Sequence, residues 1–302
     1  MDREAHCGFI SRDRKTKFID IFRTTPAQTV CPNFYVMAHA NGCAFQPKCE
    51  YCYLKSSFWY LDDDLAFSNV DRMVEETQKW IAKDGLESYI LNTGNLSDSL
   101  AFEKNRPLVR RLIEVFREKA EAKGRPHTLL LLTKGGAREC ETLFATKACR
   151  NVIVSFSVNS PEVAARYEKG AAPVEDRMEA AKRLKALGWR LRMRIDPMFA
   201  GFDYLGIIEE LRQLACERVT LGTLRAEPSL FKMVNHGLFD LLEVPAEAKA
   251  MARYPKEVRI AVYRPAVEAL LPVSSVGLCE ETEEIWKAVG LDSTLKSCNC
   301  GE

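Results

Sequence analysis

Apolar residues recur along the chain in two alternating rhythms. Short β-branched and aliphatic runs predict strands at Phe34 to Ala38, Ser88 to Thr93, Thr128 to Thr133, Val152 to Val158, Arg190 to Ile195 and Arg218 to Gly222. Between them, apolar positions three and four residues apart predict helices at Asp71 to Lys83, Arg106 to Lys123, Arg138 to Thr146, Val174 to Leu187 and Tyr204 to Cys216. Strands that alternate with helices in this way imply an α/β protein with a parallel sheet, since each parallel neighbour needs a long, right-handed crossover. Two arrangements satisfy the rhythm: a partial (β/α)6 barrel of TIM type, or an open doubly wound sheet.

The faces of two strands favour the barrel. Val152, Val154, Phe156 and Val158 share one face of their strand, and Ser155, Ser157 and Asn159 share the other. Leu191, Met193 and Ile195 likewise oppose Arg190, Arg192 and Arg194. In a barrel the apolar face meets the outer helices and the other points inward, so polar and cationic side chains would line a cavity. The competing reading puts the arginines on a solvated edge strand. The domain reading is an N-terminal extension at 1–32, the partial barrel at 33–225 and a small C-terminal appendage at 226–302.

Composition narrows the class of protein. With 302 residues, 47% hydrophobic and 28% charged, the chain can bury a large core. No apolar run reaches the roughly 20 residues of a membrane span, and the charged start lacks a signal-peptide pattern, so the reading is cytoplasmic with no membrane partner. A net charge of +1 offers no global field for nucleic acid, so any such partner must meet a local patch. The eleven cysteines then read as metal ligands or buried thiols rather than disulfides.

The sharpest local signal is Cys43-Ala-Phe-Gln-Pro-Lys-Cys49-Glu-Tyr-Cys52, in the loop after the first predicted strand. Three thiolates so close together suit a soft metal centre, and three rather than four leave one coordination position open for chemistry. Cys31 and His39 are the nearest candidates for a fourth ligand, which would make the loop a zinc knuckle instead. Cys279, Cys298 and Cys300 form a second group, read as buried thiols or as ligands of an auxiliary metal centre. His6, His39, His127 and His236 show no ligand-like spacing.

At these residues the sequence resembles the radical S-adenosylmethionine superfamily, and within it the spore photoproduct lyase and DNA repair photolyase-like branch. The resemblance rests on Cys49-Glu-Tyr-Cys-Tyr-Leu54, Thr93-Gly-Asn-Leu-Ser-Asp-Ser99, Thr133-Lys134, Ser155-Phe-Ser-Val-Asn159, Arg194-Ile-Asp-Pro197, and the tail Leu278-Cys-Glu with Cys298-Asn-Cys300. It implies a [4Fe-4S] cluster on Cys43, Cys49 and Cys52, whose remaining iron takes S-adenosylmethionine. Reductive cleavage to a 5′-deoxyadenosyl radical then abstracts hydrogen from a substrate, a lyase or related radical reaction. An external electron donor of flavodoxin or ferredoxin type is implied as well. Carried over by motif, Tyr51, Ser97, Asp98, Lys134, Ser157, Asn159 and Arg194 fall around the cofactor, with Tyr51 meeting the adenine through its backbone. Tyr53 and Asn95 fall beside the substrate.

Two departures bear on activity. Five residues separate Cys43 from Cys49, where the family commonly has three. Asn95 stands where spore photoproduct lyase has the cysteine that returns a hydrogen atom to thymine, and an amide cannot do that. Cys140, Cys149 and Cys216 are the thiols that could approach in its place. The expected substrate is a nucleotide or nucleic-acid base. The alternatives are radical tailoring of a peptide or carboxylated small molecule and, in another class, a non-catalytic zinc-binding nucleic-acid module. The arginine row is expected to hold a substrate anion.

Overall fold

The computed structural model describes residues 9–23, 28–234, 237–246 and 250–302. His6, His236 and parts of the expected N-terminal extension and C-terminal appendage lie outside the described residues.

The centre is an eight-stranded sheet: β1 (Ile19–Phe22), β2 (Phe34–Met37), β3 (Ile90–Asn92), β4 (Thr128–Thr133), β5 (Val152–Val158), β6 (Arg190–Met198), β7 (Arg218–Thr223) and β8 (Ser275–Leu278). The strands lie in chain order from β1 to β8, and all neighbours are parallel except β1 with β2. A doubly wound sheet reverses its strand order at a switch point, and this sheet does not. Its edges, β1 and β8, are not paired with each other. A short antiparallel ladder instead joins Thr29–Val30, just before β2, to Glu281–Thr282, just after β8.

The strand faces divide as the alternation requires. Val154, Phe156, Val158, Leu191, Met193 and Ile195 share one apolar core with the principal helices, α1 (Val70–Ile81), α2 (Val109–Phe116), α3 (Val174–Ala186), α4 (Leu205–Leu214) and α5 (Lys256–Leu270). The opposite face pairs Arg192 with Ser155 and Arg194 with Ser157 in register. It has a small apolar floor of its own, made of Phe34, Val36, Ile90, Leu130 and Ile153.

Boundaries shift where local chemistry demands it. The expected helix from Arg106 starts only at Val109, because Pro107 disfavours a helical residue before it, and buried Arg106 turns instead to His39. Past Phe116 this helix runs on as a π-helical turn, Arg117–Glu121. The segment from Arg138 shortens to Glu141–Phe144. Six predicted strands become eight. β1 lies within 1–32 and β8 within 226–302, so both flanking segments supply strands to the sheet.

Candidate active site

The cysteine loop leaves the C-terminal end of β2, and one carboxylate organises it. Asp64, 4% exposed, accepts the Cys43 amide at 3.1 Å and the Gln46 side chain at 2.7 Å, and pairs with the Lys48 ammonium at 2.7 Å. Gly42 stands at φ +98°, and a Cβ there would lie 1.9 Å from the Asp64 carboxylate, so only glycine fits. Further along, the Glu50 amide donates to the Tyr167 carbonyl at 2.9 Å, and Cys52 closes a turn onto the Cys49 carbonyl at 3.1 Å. Burial pushes all three thiols up, Cys49 to about 12, and each of Cys43 and Cys49 also feels the charge of its loop partners. Among the described residues no three His, Cys, Asp or Glu side chains converge tightly enough to hold a single metal ion.

The expected fourth ligands are engaged elsewhere. His39 donates from Nε2 to the Thr93 carbonyl at 2.9 Å and accepts at Nδ1 from Arg106 at 2.8 Å. Burial, then Arg106, holds its pKa down near 3, so it is a neutral structural residue. Cys31 keeps company with the C-terminal cysteines rather than with this loop.

Beside the loop lies a buried charge cluster centred on Glu168, which the sequence reading missed. Its carboxylate takes Lys134 Nζ at 2.8 Å, Arg177 at 2.6 Å, the Tyr51 hydroxyl, and Asn159 Nδ2 at 3.4 Å. Burial alone would raise its pKa, but the two cations and these hydrogen bonds bring it down to about 2. Lys134 also donates to Ser157 Oγ at 3.0 Å and sits 5.6 Å from the Tyr51 ring centroid. Tyr51, Lys134, Ser157 and Asn159 thus meet at the C-terminal ends of β4 and β5, directly beside the thiols. Two cations face one carboxylate here, leaving a positive surplus.

Asp98 is engaged by the chain itself. Its oxygens accept the Leu100, Ala101 and Lys134 amides at 2.8, 3.1 and 2.7 Å and the Thr133 hydroxyl at 2.9 Å. It locks the loop after β3 to the end of β4, with burial pushing its pKa up to about 6 against those bonds. Ser97 donates to the Asp98 carbonyl at 3.1 Å. Tyr53, 44% exposed, donates to the Asn95 carbonyl.

The arginine row points inward but is already committed. Arg190 and Arg192 share Glu217, and Arg192, 1% exposed, also donates to the Gly301 carbonyl at 2.8 Å. Arg194 pairs with Asp196, which Arg225 also grips at 2.8 Å. The expected anion-holding row therefore reads, for Arg190 and Arg192, as a clamp on Glu217 and the C-terminal tail. Cys140, Cys149 and Cys216 are buried in the larger, helix-side core. Asp64, Glu168 and Arg177 gave no sequence signal beyond ordinary charged residues.

A thiol-bearing loop over the C-terminal ends of a singly wound parallel sheet, with a cationic group beside it, is the arrangement of a radical S-adenosylmethionine protein. The family model for spore photoproduct lyase matches residues 9–258, and the chain belongs to that family. It is 24% identical to spore photoproduct lyase of Clostridium acetobutylicum over 224 residues, covering 74% of this chain and 62% of that protein. Identity to the Geobacillus sp. enzyme is 26%, over 80% of this chain and 67% of that one. The fold matches a solved spore photoproduct lyase mutant with bound AdoMet and dinucleoside spore photoproduct. That match has a TM-score of 0.69 at 18% identity, covering 89% of this chain and 81% of that one. The chain thus spans about three fifths of the length of its Clostridium relative. Among the described residues, no helix is long and apolar enough to cross a membrane.

Proposed function

We propose that the chain is a radical S-adenosylmethionine enzyme acting on a nucleotide or nucleic-acid base, with Cys43, Cys49 and Cys52 as ligands of a [4Fe-4S] cluster. The carrying observation is the thiol loop seated against the Lys134–Glu168–Arg177 group. The donor set fits: three soft ligands with no fourth in reach among the described residues, on a loop fixed by Asp64. When bound, such a cluster supplies the electron that opens the sulfonium of S-adenosylmethionine to a 5′-deoxyadenosyl radical. The chain's own residues do the positioning. Lys134 holds the carboxylate of S-adenosylmethionine with the donor that Glu168 and Ser157 leave over, Tyr51 borders the adenine, and Asp98 fixes the loops carrying Ser97 and Lys134.

The sheet is best taken as a partial barrel, with residues 33–225 as its body, since its strands run in chain order, its helices pack one face and its other face is polar. The ladder between Thr29–Val30 and Glu281–Thr282 supports wrapping. A nucleic-acid substrate is supported by the bound dinucleoside of the solved relative, and by the exposed rings of Tyr53, Trp59 and Tyr60, which offer stacking faces. An external flavodoxin or ferredoxin would deliver the electron. Asn95 presents a carbonyl to Tyr53 where hydrogen return needs a thiol, so the product is not repaired by that route. In the test, anaerobically reconstituted protein is reduced and its electron paramagnetic resonance recorded with and without S-adenosylmethionine. A cluster signal that shifts on addition, and is absent from Cys49→Ala, is expected; a signal indifferent to S-adenosylmethionine would refute the reading.

A further inference from the structure

Four more cysteines, from three distant stretches of chain, come together on the face of the sheet opposite the principal helices. Cys31 ends the lead-in to β2, Cys279 follows β8, and Cys298 and Cys300 lie in the last turn of the chain. The ladder that pairs Val30 with Glu281 places Cys31 within a step of Cys279. Gly277 of β8 packs so closely on the tail that a Cβ there would lie 2.3–2.4 Å from the Ser297–Cys298 backbone. That contact sets Cys298 beside the strand carrying Cys279. Cys31 and Cys300 pack against the same apolar floor of Phe34, Val36, Ile90, Leu130 and Ile153. All four are free thiols.

Backbone carbonyls around Cys298 and Cys300 are held by two arginines. Arg218 grips the Cys298, Gly301 and Glu302 carbonyls at 2.7, 3.0 and 3.0 Å, and Arg192 adds a second hold on Gly301. Ser155 and Asn299 meet at 2.8 Å. Donors also aim at the sulfurs themselves: Arg194 and Arg225 reach Cys279 Sγ at 3.4 and 3.2 Å, and Asn92 reaches Cys300 Sγ at 3.8 Å. Between Cys298 and Cys300, the Asn299 Nδ2 is buried and has no partner among the described residues. A buried amide left in this way normally has an acceptor.

We propose that Cys31, Cys279, Cys298 and Cys300 are the ligands of a second [4Fe-4S] cluster, seated on the face of the sheet opposite the principal helices. Four cysteines complete such a cluster, so its irons would have no open position, unlike the three-thiol loop. Asn299, Arg194 and Arg225 would be the donors nearest to it, with Asp196 and Glu280 balancing the two guanidinium groups. The proposal is independent of which substrate the enzyme takes.

The test counts iron and sulfide in the anaerobically reconstituted full chain, in the triple variant Cys43→Ala/Cys49→Ala/Cys52→Ala, and in the double variant Cys298→Ala/Cys300→Ala. About eight irons are expected in the wild type and about four in each variant, with S-adenosylmethionine altering the spectra of the wild type and the double variant but not that of the triple variant. If the double variant fails to fold, the wild-type and triple-variant counts still decide. About four irons in the wild type with none in the triple variant overturns the second cluster and leaves the first. About four irons in the triple variant with none in the double variant upholds the second cluster and overturns the first. Zinc in place of iron in the triple variant also overturns the proposal.

Discussion

Replacing Glu168 with Gln removes the charge at the centre of the buried cluster while keeping its shape and one acceptor. The carboxylate is fully buried against Lys134 and Arg177, and its pKa falls from an ordinary 4.5 to about 2. At about 1.4 kcal/mol per tenfold, the ionised form contributes about 3 kcal/mol to folding, in the range known for breaking one partner out of a buried pair. The sign follows from the direction. The folded pKa lies below the unfolded one, so the contribution is fully present above roughly pH 5.5 and drains away as pH falls through 4 toward 2. Glu168→Gln should therefore lower the melting temperature at pH 7 by roughly 5–10 °C, followed by circular dichroism. The gap between the two proteins should narrow in acid. A loss at pH 7 below about 1 kcal/mol, or a gap that stays constant down to pH 3, would refute the reasoning.

Three further outcomes follow from the same geometry. Lys134→Ala should weaken S-adenosylmethionine binding by about 10- to 100-fold, the worth of one hydrogen bond to a charged group, with cluster iron retained; an unchanged dissociation constant removes Lys134 from the site. Asp64→Ala strips the acceptor from the Cys43 amide and Gln46, so iron should be lost to a chelator several times faster than from the wild type. Equal rates would mean that the loop holds itself. Incubated with dinucleoside spore photoproduct and S-adenosylmethionine, the reduced enzyme should return little or no thymine, and efficient repair would show that Asn95 is no obstacle.

Much of the fold was legible because period and packing agree. Val152–Val158 was readable to the residue, its alternation intact between a helix-side core and a polar face. β8 was not, since Ser275–Leu278 is only four residues long and contains Gly277, a weak strand residue present because the tail passes against it. α5 was hidden by Pro265, which ordinarily ends a helix but lies inside this one. At the site, Lys134 and Ser157 could be placed by motif and face. Glu168 could not, because a glutamate just past the helix Pro161–Tyr167 looks like a solvated charge until the fold brings Arg177 and Lys134 to it. The arginine row was readable in direction but not in purpose. The partners of Arg190 and Arg192, Glu217 and the tail carbonyls, lie 25 to 109 residues away.

The central claim is that the Cys43 loop and its charged neighbour together cleave S-adenosylmethionine, and 5′-deoxyadenosine formation under anaerobic, reducing conditions measures it directly. The account predicts steady formation by reconstituted wild-type protein and none above background for Cys43→Ala, Cys49→Ala or Cys52→Ala. Formation by all three variants at the wild-type rate, or none by a wild-type protein that carries its full complement of iron, would contradict it.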